Sequence, residues 1–116
     1  MNTVPDMQYT KLGKTGMRVS VAGLGCGGGS RLGMAQGLST NQSVDLVRLA
    51  MDLGVNYLDT AAVYGTETIV GKAIKCSPRD QIYVATKAQV RRGGKMISVN
   101  DVIASLDNSL RQLGTD

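Results

Sequence analysis

At 116 residues, 42% of them hydrophobic and 19% charged, the chain has room for one small α/β unit and no more. Four Tyr are its only aromatic residues, so any core must be built from Val, Ile, Leu, Met and Ala, while 15 Gly mark places where the backbone turns or approaches a ligand. The absence of His excludes the usual zinc sites, and the 13 basic residues behind a net charge of +4 are spread from Lys11 to Arg111.

In chain order, residues 9–12 and 17–19 read as short extended runs joined by a Gly13-Lys14-Thr15-Gly16 turn, a hairpin. Residues 18–24 read as a strand entering the cluster Gly23, Gly25, Gly27, Gly28, Gly29. A polar loop follows, and Ser39-Thr40-Asn41-Gln42 has capping-box form, so a helix should begin there. Asp45, Arg48 and Asp52 fall on one wedge of that helix and Val44, Leu46, Val47, Ala50, Met51 and Leu53 take the rest, as for a helix lying on a sheet. Gly54 stands where a left-handed C-terminal cap is wanted.

The pattern then repeats. Residues 55–60 read as a strand, Tyr64-Gly65 as a turn and residues 66–75 as a second helix, with Pro78 breaking the chain before a strand at 81–87. Arg91, Arg92 and Lys95 form the one close basic group, with no aromatic residue beside it to stack a base. It reads as a solvated loop, and no nucleic-acid partner is expected. Ser98 with Asp101 signals a third helix, along which Val99, Val102, Ile103, Leu106, Leu110 and Leu113 make an apolar stripe ended by Gly114.

A hairpin followed by three strand–helix units argues for parallel strands joined by right-handed crossovers. Three such strands with helices on one side leave the other face bare, and Asp116 falls where a fourth strand should begin. The expectation is therefore one partial domain, residues 1–116, that is a piece of a larger barrel. Cys26 and Cys76 make neither a disulfide framework nor a metal-ligand spacing. No leader opens the sequence and no apolar run approaches the roughly 18 residues of a bilayer span, so a reduced, soluble, cytoplasmic protein with no membrane partner is expected.

Gly23-Leu24-Gly25-Cys26-Gly27-Gly28 matches the G-x-G-x-x-G dinucleotide fingerprint, and Asp45 lies about 20 residues on, as that fingerprint wants. The context fails: residues 30–37 separate the glycines from the next helix, and Asp45 lies inside that helix instead of at a strand tip. A second signal is spread over two strand ends, with Asp59 closing the second strand, Tyr64 in the loop after it and Lys87 closing the third. The C-terminal ends of parallel strands form the functional face, so the three should project into one region. Taken singly, Asp59 can be a turn cap, Tyr64 a packing residue and Lys87 a surface lysine. Together they make a specific chemistry possible. A free tyrosine, with a pKa of about 10, is a poor proton donor at neutral pH. An adjacent ammonium favours its phenolate, and a carboxylate fixes the ammonium in place. The outcome is a general acid for a carbonyl oxygen, with the hydride left to a nicotinamide because no residue can supply it.

On these residues the sequence resembles the aldo-keto reductase superfamily. The segments that carry the resemblance are Lys11-Leu-Gly-Lys-Thr-Gly16, Gly23-Leu-Gly25, Leu53-Gly-Val-Asn-Tyr-Leu-Asp-Thr-Ala61, Tyr64-Gly65 with Glu67 and Gly71, Val84-Ala-Thr-Lys87 and Ser109-Leu-Arg-Gln-Leu-Gly-Thr-Asp116, in family order over residues 7–116. The resemblance implies an α/β fold, namely the N-terminal hairpin and first three β/α units of a (β/α)8 TIM barrel, left incomplete. It implies an NAD(P)H-dependent oxidoreductase that moves hydride between a nicotinamide and a carbonyl or alcohol (an aldehyde, ketone or aldose), with NADP as cofactor and NAD possible. Tyr64 would be the general acid, Lys87 its modulator and Asp59 the partner of Lys87, while Gly25, Cys26, Gly27 and Asp59 would lie against the cofactor. The family's fourth catalytic residue is a histidine on the fourth strand, and its phosphate site lies on the last two strands. Neither is in this sequence, so the chain alone is expected to be inactive. The alternative expectation is a catalytically silent half-barrel that serves as a binding or regulatory module.

Overall fold

The computed structural model describes residues 5–116. The chain begins with an antiparallel hairpin of β1 (Tyr9–Lys11) and β2 (Arg18–Ser20), with Tyr9 opposite Ser20 and Lys11 opposite Arg18. Gly13 and Gly16 both take left-handed backbone in its turn, as the glycine spacing requires. The continuous strand expected over residues 18–24 is broken. β2 ends at Ser20, and β3 (Leu24–Gly25) belongs to a different sheet. The break is built by side chains: Ser20 Oγ donates to the Ala22 carbonyl at 2.7 Å, and Asn56 Oδ1 takes the Ser20 N–H at 2.7 Å. A backbone N–H bound by Asn56 is not free to continue a strand ladder.

The main sheet is parallel, in the order β3, β4 (Tyr57–Asp59), β5 (Tyr83–Ala85). Its register places Leu24, Leu58 and Val84 side by side in one row and Gly25, Asp59 and Ala85 in the next. Since successive side chains alternate between faces, these rows look in opposite directions. The Leu24–Leu58–Val84 row joins the core, together with Val44, Val47, Ile69, Val70, Ala73, Ile74, Ile82 and Leu113. The Asp59 row and the Tyr57–Tyr83 pair occupy the face that no helix covers.

Three helices lie on the apolar face: α1 (Thr40–Asp52), α2 (Glu67–Ile74) and α3 (Val99–Leu113). The expected capping box opens α1, with Ser39 Oγ accepting from the Gln42 N–H and Gln42 Oε1 accepting from the Ser39 N–H. Gly54 follows α1 at φ 98°, and its carbonyl accepts the Tyr9 hydroxyl at 2.8 Å, which ties the hairpin to the helix end. Ser98 caps α3 through the Asp101 N–H at 3.1 Å. α2 packs between the other two helices, and so close to the end of α3 that a Cβ on Gly71 would stand 2.5 Å from the Gln112 carbonyl oxygen.

The apolar stripe of α3 is covered at Leu113 but largely bare at its start, with Val99 75% and Ile103 52% exposed. The basic group at residues 91–95 is not an open loop. It forms a second small hairpin, β6 (Arg91–Arg92) with β7 (Lys95–Met96), turning on Gly93 and Gly94, both left-handed. The whole is a plate 54 × 39 × 24 Å with a radius of gyration of 15.4 Å, where a closed domain of this length has about 13 Å. A parallel sheet with helices on one side only is an open, incomplete piece of a (β/α)-type barrel. Among the described residues no helix is long and apolar enough to cross a membrane.

Candidate active site

Parallel pairing fixes the site. Because Gly25 pairs with Asp59 and Asp59 with Ala85, the three strand ends arrive level, and the segments leaving them share one edge of the sheet. Backbone bonds carry the register past the strands: Cys26 N–H to the Asp59 carbonyl at 2.8 Å, Thr60 N–H to Ala85 at 2.8 Å and Ala62 N–H to Lys87 at 3.1 Å. Asp59 and Lys87 therefore lie on the same, uncovered face. Lys87 Nζ donates to Asp59 Oδ1 at 2.6 Å and to the Thr60 carbonyl at 2.9 Å. It also stands 5.4 Å from the centre of the Tyr64 ring, which a single 3-10 turn (Ala62–Tyr64) brings back over the strand ends. Gly65 at φ 71° ends that turn. The hydrogen bond to Asp59, with the carboxylate's charge, raises Lys87 above the ordinary lysine value and keeps it cationic.

The glycine-rich segment divides its roles. Gly25 sits in register with Asp59, and a Cβ there would meet nothing within 4 Å. Cys26 is fully buried, with its thiol directed to the Leu24 carbonyl and both its backbone groups engaged. Burial, with Asp59's negative charge added, pushes that thiol up to about 11, so it is a neutral packing group at physiological pH. Gly27 lies against the Tyr64 ring.

Beneath the trio are contacts that sequence reasoning did not find. Thr66 and Thr60, both fully buried, share a hydrogen bond at 2.9 Å, and Thr66 Oγ1 donates to the Cys26 carbonyl at 3.0 Å. These hydroxyls clasp both ends of the loop carrying Tyr64 to the end of β3. Thr86, next to Lys87, donates to the buried Glu67 carboxylate at the start of α2 at 2.5 Å. The available signal was a threonine at each end of Thr60-Ala-Ala-Val-Tyr-Gly-Thr66. Its meaning depends on Cys26, 40 residues away.

Comparison with known proteins places the chain as a whole in one family. The profile described as "Aldo/keto reductase family" matches residues 24–116. The chain belongs to the aldo-keto reductase family. It is 36% identical over 120 residues to aldo-keto reductase YhdN of Bacillus subtilis and 38% identical over 116 residues to L-galactose dehydrogenase of Arabidopsis thaliana, in each case across 95% of this chain. Among solved structures it superposes on the thermostable aldo-keto reductase Tm1743 with a TM-score of 0.75 at 33% identity, covering 95% of this chain and 40% of that one. The holo form of aldo-keto reductase AKR11C1 from Bacillus halodurans gives 0.72 at 32% identity, covering 95% and 37%. A Bombyx mori aldo-keto reductase in complex with NADP gives 0.73 at 26% identity, covering 97% and 36%. The chain spans 35% of the length of the two curated relatives and corresponds to the amino-terminal part of the aldo-keto reductase fold.

Proposed function

We propose that this chain carries the proton-transfer side of an NADP(H)-dependent oxidoreductase site, NAD(H) being the other possible nicotinamide, that interconverts a small carbonyl compound (an aldehyde, ketone or aldose) and its alcohol. The observation that carries the reading is the Lys87 ammonium, 2.6 Å from Asp59 and 5.4 Å from the Tyr64 ring centre on the open strand-end face. In this reading Tyr64 is the general acid, giving its phenolic proton to the carbonyl oxygen and recovering it in the reverse direction. Lys87 favours the phenolate that donation leaves behind, and Asp59 holds Lys87 charged and aimed.

The residues present suit a nicotinamide cofactor in one testable respect. At Gly25 the main chain is open where a Cβ would stand, and it lies level with Asp59, so a flat ring and its ribose can approach the backbone there. Gly25 and Asp59 are the proposed direct contacts, and Cys26 and Gly27 contribute as the chain that shapes this edge. When bound, the nicotinamide supplies or accepts the hydride, which none of these side chains can do. The reading includes a cytoplasmic setting, with residues 1–116 acting as one partial domain of the barrel.

The test uses the full reading frame that carries this chain, assayed by NADPH absorbance with a small aldehyde. Turnover that falls by roughly 100-fold or more in Tyr64→Phe, and in Lys87→Met, is the expected result. Residues 1–116 alone are expected to show none. Turnover unchanged in Tyr64→Phe overturns the assignment.

A further inference from the structure

We infer that Gly27 is a positioning residue for Tyr64: the empty space at its α-carbon sets where the phenol stands. A Cβ at residue 27 would lie 2.7 Å from both Cδ2 and Cε2 of Tyr64 and 2.8 Å from Cζ, closer than carbon atoms approach without displacement. Gly27 is not among the residues with left-handed backbone, whereas its neighbour Gly28 has φ 69°. An alanine would therefore fit the backbone at 27, and the three atoms nearest its Cβ would all belong to the Tyr64 ring. Gly25 and Gly29 in the same run would each carry a Cβ into open space. Of the five glycines in the cluster, Gly27 thus answers to the phenol, Gly28 to a turn and Gly23 to Tyr57, while Gly25 and Gly29 answer to nothing within this chain.

The ring cannot simply swing away with its loop. Thr60 and Thr66 hold the loop's two ends to each other, and Thr66 holds them to the Cys26 carbonyl, next to Gly27 itself. A side chain at 27 therefore acts on the ring and not on the loop. Ordinary carbon contact is about 3.5 Å, so a methyl at 27 moves the ring by about 0.8 Å from its 2.7 Å seat and changes its distance to Lys87. Displacements of that size cost up to about 100-fold in rate where a proton must be delivered to a fixed atom. This role rests on the proposed chemistry of Tyr64, but the seat itself does not.

The experiment compares Gly27→Ala with Gly29→Ala as the matched control, using tyrosine labelled with 13C in its ring. The Tyr64 resonance is identified by its loss in Tyr64→Phe. It should shift in Gly27→Ala and stay in place in Gly29→Ala, while the other three tyrosines keep their positions in both. A Tyr64 resonance unmoved in Gly27→Ala overturns the inference. A second measurement covers poor folding of that variant. Gly27→Ala should lower the melting temperature by roughly 4–8 °C in the parent chain and by much less in a Tyr64→Ala background, where the obstructing ring is gone. An equal loss in both backgrounds also overturns it. Neither measurement needs turnover, so the seat and the catalytic reading fail separately, the latter through an active Tyr64→Phe enzyme.

Discussion

Replacing Thr66 by valine keeps the shape of the side chain and removes one hydroxyl that serves two others. Thr66 Oγ1 is the donor to the Cys26 carbonyl at 3.0 Å and the partner of Thr60 Oγ1 at 2.9 Å, and Cys26, Thr60 and Thr66 are all fully buried. The Thr60 hydroxyl has no other hydrogen-bond partner among the described residues. Each buried polar group left without a partner costs about 1–3 kcal/mol, so two orphaned groups set the loss at about 2–6 kcal/mol. For a domain near this size that corresponds to a fall of roughly 10–30 °C in melting temperature. Thermal unfolding followed by far-ultraviolet circular dichroism measures it. Thr60→Val should cost less, because Thr66 can still donate to Cys26, and the double variant should cost less than the two single losses added together. A Thr66→Val protein within about 0.5 kcal/mol of the parent, the range of an ordinary surface change, would refute the clasp.

Gly71→Ala should destabilise by about 1–3 kcal/mol, because its Cβ meets main-chain oxygens of Gln112 at 2.5 Å and Leu113 at 2.8 Å that cannot rotate away. An unchanged melting temperature would contradict the close α2–α3 approach. Of the two free thiols only the exposed Cys76 should react with a thiol reagent in the native chain, with buried Cys26 reacting on unfolding, and two rapidly titrating thiols would count against the buried placement. Because folding raises the Cys26 thiol from 9.0 to about 11, the native state holds a proton that the unfolded state releases. Its contribution to stability is complete below pH 9 and lost as pH rises towards 11, and the loss over this window should shrink in Cys26→Ala.

Local chemistry carried most of what the sequence disclosed. Ser39 with Gln42 and Ser98 with Asp101 announced their helices because a cap is settled within four residues. Asp59, Tyr64 and Lys87 were legible as a group because parallel strands bring their C-terminal ends together wherever they fall in the chain. What escaped needed distant partners. The strand through residues 18–24 looked continuous until Asn56 took the Ser20 N–H, and the threonine clasp has no meaning without Cys26. The hairpin over residues 91–96 is a different kind of omission. Gly93-Gly94 is a direct local signal for a two-residue turn, and both glycines take the left-handed backbone that such a turn requires. The α3 stripe shows the limit of periodicity, which marks the face a helix would bury and not whether anything covers it. Val99 and Ile103 remain exposed although their spacing is ideal.

Asp59 joins the sheet through its main chain and holds Lys87 through its carboxylate. The same separation runs along most of the edge: backbone amides and threonine hydroxyls carry the architecture, and the outward-facing groups touch it lightly, Lys87 at the Thr60 carbonyl and Tyr64 at Gly27. Such a division leaves most of the frame intact when a reactive side chain is exchanged, Lys87 giving up one bond to the main chain and Tyr64 its seat at Gly27.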